Sequence, residues 1–187
     1  MKASLETLTE RAAAEGLLDV AYASVDSPFG LLLVASTRKG LVKVSFPAVY
    51  DTEETLEELA SQISPRVLEA PAKLDDVRRQ LDLYFEGRLT EFDLPLDWRL
   101  TDGFRKRAQR AIARIPYGQT RSYTEIATSA GNERAVRAAG TACGSNPVPI
   151  VVPCHRVLRS GGGLGGYGGG LPMKEALLEL EGVLERS

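Results

Sequence analysis

Cys154 and His155 stand side by side in the segment PVPIVVPCHRV, which runs from Pro147 to Val157, and the chain holds no other histidine and only one other cysteine. An imidazole within reach of a thiol can draw off its proton, and the thiolate is the nucleophilic form of cysteine. Such sparing use of both residue types, followed by their adjacency, points to nucleophilic chemistry at this pair. The competing reading is a buried cysteine acting as a small hydrophobe beside a surface histidine. A candidate carboxylate lies downstream. On a helix beginning near Pro172, Glu181 shares the apolar face with Leu177, Leu178 and Leu184, and a glutamate on such a stripe needs a partner. Glu175 and Glu179 fall off that stripe and read as solvated. For Glu181 the alternative is a rim position at a frayed helix end. No metal is expected, because Cys143, Cys154 and His155 are the only soft ligands and their spacing matches no zinc motif.

These residues must be positioned by a chain of 187 residues, enough for one domain or two small ones. Apolar residues make up 43% and charged residues 26%, as in ordinary globular proteins. No apolar run reaches membrane-spanning length, and the opening KASLET does not read as a signal peptide. Two cysteines without a disulfide framework fit a reducing cytoplasm, which is the expected setting. Charge is unevenly spread. Residues 101–187 carry 12 Lys+Arg against 7 Asp+Glu, a net of +5, and residues 1–100 carry 11 against 18, a net of −7. A basic second half points to a polyanionic partner, the alternative being a solvated face.

The first half reads as mixed α/β. Residues 5–18 suit a short helix, and residues 20–25, 31–35 and 41–46 suit strands separated by the turn signals DSPFG and TRKG. Asp51 with Glu54 resembles the cap of a helix running to about residue 63. Residues 73–85 form a second helix with Leu74, Val77, Leu81 and either Leu83 or Tyr84 as its buried stripe. Residues 90–101 read as a link to the next domain, and nothing in this half looks catalytic. In the second half, residues 104–114 form a basic helix stopped near Pro116 and Gly118. Helices over 122–129 and 133–143, separated by Ala130-Gly131-Asn132, make a helix-turn-helix. In the second of these, Val136, Ala139, Gly140 and Cys143 should face the core, which makes Cys143 a packing residue. Arg134, Arg137 and Thr141 share another face, suited to phosphate or a DNA groove, or simply to solvent. Residues 161–170, GGGLGGYGGG, hold eight glycines. They match a dinucleotide fingerprint only by accident, since no βαβ unit surrounds them. A lid that lets backbone approach a ligand is the better reading, and a linker is the alternative.

The run RAAGTACGSNPVPIVVPCHRV from Arg137 to Val157, followed by YGGGL from Tyr167 to Leu171, closely resembles the O6-alkylguanine-DNA alkyltransferases, also called methylated-DNA–protein-cysteine methyltransferases. Ile115-Pro-Tyr-Gly118 and Arg121-Ser-Tyr123 are similar too. The resemblance is close from about Phe104 to Gly182 and looser over residues 1–100, where it rests on Ser27-Pro-Phe-Gly30 and the LYFEG stretch through Phe92. It implies a ribonuclease-H-like α/β N-terminal domain without nuclease activity, residues 1–95 with a helical extension at 1–19. A mainly helical C-terminal domain with a helix-turn-helix follows at 96–187.

The implied activity is single-turnover transfer of the alkyl group of O6-alkylguanine, and of O4-alkylthymine, to the Cys154 thiolate, without a cofactor. The implied partner is double-stranded DNA carrying the lesion, met by a protein that is a monomer in solution, with cooperative assembly on DNA left open. The target oxygen lies inside the base stack, so the nucleotide must be flipped out. By resemblance, Arg137 fills the gap left in the stack, from a helix presented to the minor groove. Arg134, Thr124, Asn132 and Ser160 add DNA contacts. His155 reaches the thiol through an ordered water and Glu181 orients its ring. The Tyr123 hydroxyl protonates the departing guanine at N3, and Asn146 braces the turn before the active-site segment. The carbonyls of Cys154 and Val157 and an amide near Gly168 hold the guanine edge, with Tyr167 in the same pocket. Ala108-Gln109 departs from a Val-Trp pair common in relatives, which alters packing of that helix. The zinc of some relatives is not carried over, because no Cys or His lies in the N-terminal domain. Two other functions compete: a non-reactive module that binds alkylated bases, in which the cysteine is replaced, and a helix-turn-helix regulator.

Overall fold

Three alternating apolar stretches of the first half become strands: β1 (Val20–Val25), β2 (Leu32–Thr37) and β3 (Gly40–Ser45). They pair antiparallel in sequence, and a short β4 (Val67–Glu69) adds parallel to β1, giving the order β3-β2-β1-β4. This computed structural model describes residues 18–185, so the helix expected over 5–18 and the extension at 1–19 lie outside the described residues except at their ends. At three residues, β4 is too short for alternation to announce it. The period of two puts Val20, Ala35 and Val42 on one face of the sheet, where they pack with Leu59 of α1 (Thr52–Gln62) in a cluster of fully buried side chains. Burying a side chain of leucine size contributes about 1.5–3 kcal/mol. Helix α1 starts where Asp51 predicts. Its carboxylate accepts from the amides of Glu53 and Glu54 at 2.7 and 3.1 Å.

Residues 90–101 are more than a link. The Pro95 carbonyl accepts from Leu41 N at 2.8 Å, and Asp97 N donates to the Leu41 carbonyl at 2.9 Å. The Thr37 hydroxyl donates to the Asp97 carboxylate at 2.6 Å, which pins the segment at the β2–β3 turn. The division into two compact units therefore differs from a single cut at residue 95. One unit comprises the described residues through Leu83 together with Asp93–Leu100, and the other comprises Tyr84–Phe92 together with the described residues from Thr101. Helix α2 (Asp75–Phe85) buries Val77, Leu81 and Tyr84, as its stripe predicts, and its last turn belongs to the second unit.

The second unit is built from α3 (Gly103–Ile112), α4 (Tyr123–Ser129), α5 (Val136–Gly144) and α6 (Leu171–Leu180), with a two-stranded parallel pairing of β5 (Arg121–Ser122) and β6 (Val157–Leu158). Ser122 and Glu125 form a capping box at the start of α4: the Ser122 hydroxyl accepts from Glu125 N at 3.2 Å, and the Glu125 carboxylate accepts from Ser122 N at 2.7 Å. Helices α3, α4 and α5 pack on one another, so the helix-turn-helix has a third helix behind it. Gln109 of α3 is fully buried and donates to the carbonyls of Ala142 and Ser145 at 3.0 and 3.2 Å, which ties α3 to the end of α5.

Helix α5 begins three residues later than the sequence predicts. Asn132 accepts from Arg134 N on its side chain at 3.2 Å and from Ala135 N on its carbonyl at 3.0 Å, so the chain is still turning there. Val136 consequently sits in the first helical turn, 36% exposed, instead of in the core. The buried stripe of α5 is Ala139, Ala142 and Cys143.

Candidate active site

The proline-rich approach to Cys154 is held by local hydrogen bonds. Asn146 donates to the Val152 carbonyl at 2.7 Å and accepts from Val148 N at 3.1 Å, closing the turn. The same amide nitrogen lies 3.2 Å from Cys154 Sγ. Ile150, fully buried, has φ +73°, a conformation that a β-branched residue adopts only under constraint. Cys154–Arg156 then form one 3-10 turn. All three side chains of that turn are buried.

Glu181, at the end of α6, is buried and gathers donors from three segments of the unit. His155 Nε2 lies 2.9 Å from Oε1, and Arg156 donates to both oxygens at 2.8 Å. The Tyr84 hydroxyl donates at 2.7 Å and Gly118 N at 3.4 Å. Arg156 also donates to the Ile115 carbonyl at 2.5 Å. Burial by itself disfavours the charged carboxylate, but the hydrogen bonds from His155, Arg156 and Tyr84 outweigh it and hold Glu181 at about 2. An ionised Glu181 can only accept, so His155 donates from Nε2. Burial pushes the imidazole below its ordinary range against the pull of Glu181, which keeps the ring neutral at neutral pH with its lone pair on Nδ1. That Nδ1 is buried and has no hydrogen-bond partner among the described residues.

The thiol is buried, and burial pushes its pKa up. The Asn146 hydrogen bond and the charge of Lys174 act in the opposite direction. Lys174 is fully buried on α6 and donates to the carbonyl of Val157 at 2.7 Å and to that of Leu164. It joins the active-site strand to the glycine-rich segment while placing a cation near both cysteines.

A cavity of about 500 Å³, in the range of small-molecule sites, opens beside this arrangement. Its walls include Tyr123, Cys143, Arg159, Gly165, Tyr167 and Gly168. Gly165 has φ +68°, and a Cβ there would come within 2.6 Å of the Tyr123 hydroxyl. Glycine at this position is a requirement of close approach. The Tyr167 ring stands edge-on to His155 with centroids 6.3 Å apart. Burial raises the pKa of the half-buried Tyr123. Cys143 packs as expected but also faces the cavity, and burial pushes its thiol up to about 12.

The other residues singled out from sequence fall as follows. The Thr124 and Ser160 hydroxyls lie 3.5 Å apart at the surface. Asn132, Arg134 and Arg137 are exposed, and Arg134 precedes α5. The Cys154 carbonyl accepts from Val157 N, and the Val157 carbonyl accepts from Lys174. Three residues at the site escaped the sequence reading: Arg156, Lys174 and Tyr84. Tyr84 corrects the view that nothing in the first half bears on chemistry.

The fold and site define a two-domain protein with a buried cysteine–histidine–glutamate constellation and a helix-turn-helix. Residues 20–98 match the ribonuclease-like domain of 6-O-methylguanine DNA methyltransferase, and residues 103–183 match the DNA-binding domain of the same family. A methylated-DNA–protein-cysteine methyltransferase of Mycobacterium tuberculosis is 45% identical over 160 residues, covering 86% of this chain and 91% of that protein. One of Methanosarcina barkeri is 42% identical over 160 residues, covering 86% and 96%. The crystal structure of the Mycobacterium tuberculosis O6-methylguanine methyltransferase superposes with a TM-score of 0.73 at 42% identity, covering 87% of this chain and 92% of that one. Mycobacterium tuberculosis OGT in complex with DNA gives 0.73 at 40% identity, covering 86% and 92%. The chain belongs to the 6-O-methylguanine DNA methyltransferase family, with its ribonuclease-like α/β domain followed by the helical domain.

Proposed function

We propose that this chain repairs DNA by direct reversal, moving the alkyl group of O6-alkylguanine, and of O4-alkylthymine, onto Cys154 once per molecule. The observation that carries the reading is the imidazole of His155, fixed by an ionised Glu181 with its unshared Nδ1 lone pair available as a base. The Cys154 proton passes to Nδ1 through one water, and the sulfur attacks the alkyl carbon. The C–O6 bond breaks, its electron pair stays on guanine, and guanine takes a proton at N3 from the Tyr123 hydroxyl. Solvent exchange returns the proton on His155 to Tyr123. A thiol kept neutral by burial at rest becomes a thiolate only as the base is attacked, which spares it from other electrophiles.

The cavity receives a base flipped from duplex DNA, held at its edge by the carbonyls of Cys154 and Val157 and an amide near Gly168. Arg137, exposed on α5, occupies the gap left in the stack. Arg134, Asn132 and the Thr124–Ser160 pair contact the backbone on either side. The protein acts as a monomer in a reducing cytoplasm, where both cysteines stay free. A thioether is a poor leaving group, so guanine release should stop at one equivalent per protein molecule. Cys154→Ala should release none and still bind the duplex. Release continuing past one equivalent contradicts the reading, and so does transfer by Cys154→Ala.

A further inference from the structure

Arg159 is the one charged side chain among the residues lining the cavity. No carboxylate pairs with it among the described residues. Its backbone is held all the same, while its side chain is exposed. Arg159 N donates to the Gly163 carbonyl and Gly162 N donates to the Arg159 carbonyl, both at 2.8 Å, so the residue sits in a closed turn directly after β6. Its aliphatic stem lies along Gly163, where an added Cβ would meet Arg159 Cδ at 3.5 Å. The charge reaches the cavity wall, since it acts on the Tyr123 hydroxyl.

The rest of the cavity does nothing to neutralise it. No Asp or Glu lines the walls. Deeper in, the Lys174 ammonium donates only to carbonyl oxygens, and the charge of Glu181 is matched by Arg156. Two cations without a local counter-charge make the field inside the cavity positive, and such a field favours an anionic occupant.

We propose that Arg159 is a specificity-determining residue that pairs with a carboxylate on the O6 substituent, so that this chain favours O6-carboxyalkylguanine over a neutral group of the same size. The proposal rests on the repair reading and names the substituent it prefers. A carboxylate next to the carbon under attack repels the incoming thiolate and slows displacement. A guanidinium facing it offsets that repulsion and offers the planar, two-pronged donor set that carboxylates match. In the step itself the S–C bond forms and the C–O6 bond breaks with its electron pair left on guanine. The carboxylate passes unchanged onto the new thioether.

The test measures transfer rates to the intact chain from three duplexes that differ only in the lesion: O6-carboxymethylguanine, its neutral isostere O6-carbamoylmethylguanine, and O6-methylguanine. The readout is the carboxymethyl-to-carbamoylmethyl ratio. In Arg159→Ala it should fall about two- to fivefold, the scale of a partly exposed ion pair. It should fall further in Arg159→Glu and recover only in part in Arg159→Lys, which keeps the charge but not the two-pronged donor set. A ratio in Arg159→Ala equal to that of the wild-type chain overturns the proposal. An equal slowing of all three duplexes also overturns it, since Arg159 would then hold a backbone phosphate. Failure of the wild-type chain to react with O6-methylguanine is a separate result that removes the repair reading itself.

Discussion

Lys174 shows how one residue can serve both geometry and charge. Positions 174, 177, 178 and 181 share one face of α6, so the ammonium lies on the same buried stripe as Glu181. That spacing was available in the sequence, but a lysine reads as solvated by type, and only the carboxylate was picked out. Arg156 escaped for the same reason, although a guanidinium inside PVPIVVPCHRV is out of place unless it has a partner. Its bidentate ion pair with Glu181 joins positions 25 residues apart, and single-sequence periodicity has nothing to say at that separation. Cys154, His155 and Glu181 were legible because their types and spacing are unusual, whereas Asn146 was legible only through the family resemblance. Lys174→Met should remove the nearby positive charge, leave the thiol harder to ionise, and slow transfer about tenfold at neutral pH, the factor for one unit of pKa. The pH–rate profile should move to higher pH. A slower rate with an unmoved profile would reduce Lys174 to a tether for the glycine-rich segment.

At the scale of elements, the helix-turn-helix depends on short polar devices at its ends. The Ser122–Glu125 box starts α4, Asn132 delays α5, and Gln109 closes it from α3. Cap patterns are local, so the start of α1 at Asp51 was legible to within a residue. The start of α5 was not, because Glu133 and Arg134 are good helix formers and the asparagine turn overrode their propensity. β4 and the Leu41–Leu96 bridge were missed because they exist through pairing with distant strands. Helix α5 has a face of small residues around an exposed arginine, which suits close approach to a duplex. Arg137→Ala should slow repair of O6-methylguanine in duplex DNA about tenfold or more, since unstacking a base costs a few kcal/mol. Reaction with the free base O6-benzylguanine should be nearly unaffected. Equal losses on the two substrates would exclude a role for Arg137 in base extrusion.

For the whole molecule, the buried relay couples stability to pH. His155 is held neutral below its unfolded value of 6.5, so the unfolded chain takes up the proton first and stability falls as pH drops below that value. Glu181 lies at about 2 against 4.5 when unfolded, so its contribution is complete above pH 4.5 and is lost as pH falls toward 2. The second loss is on the order of 3 kcal/mol. Thermal unfolding should therefore show a Tm that declines in two steps on acidification, and Glu181→Gln should lack the lower one. An unchanged acid slope in that variant would mean that other carboxylates set it. The two-domain plan was legible from the resemblance and the strand pattern. The passage of Tyr84–Phe92 into the second unit was not, because a helix that ends one unit and begins another carries a continuous stripe.

The most direct measurement of the central claim is intact-protein and peptide mass spectrometry after incubation with a duplex containing O6-methylguanine. The account predicts one added methyl group per chain, located on Cys154, with Cys143 unmodified. No adduct, or an adduct on Cys143, would contradict it.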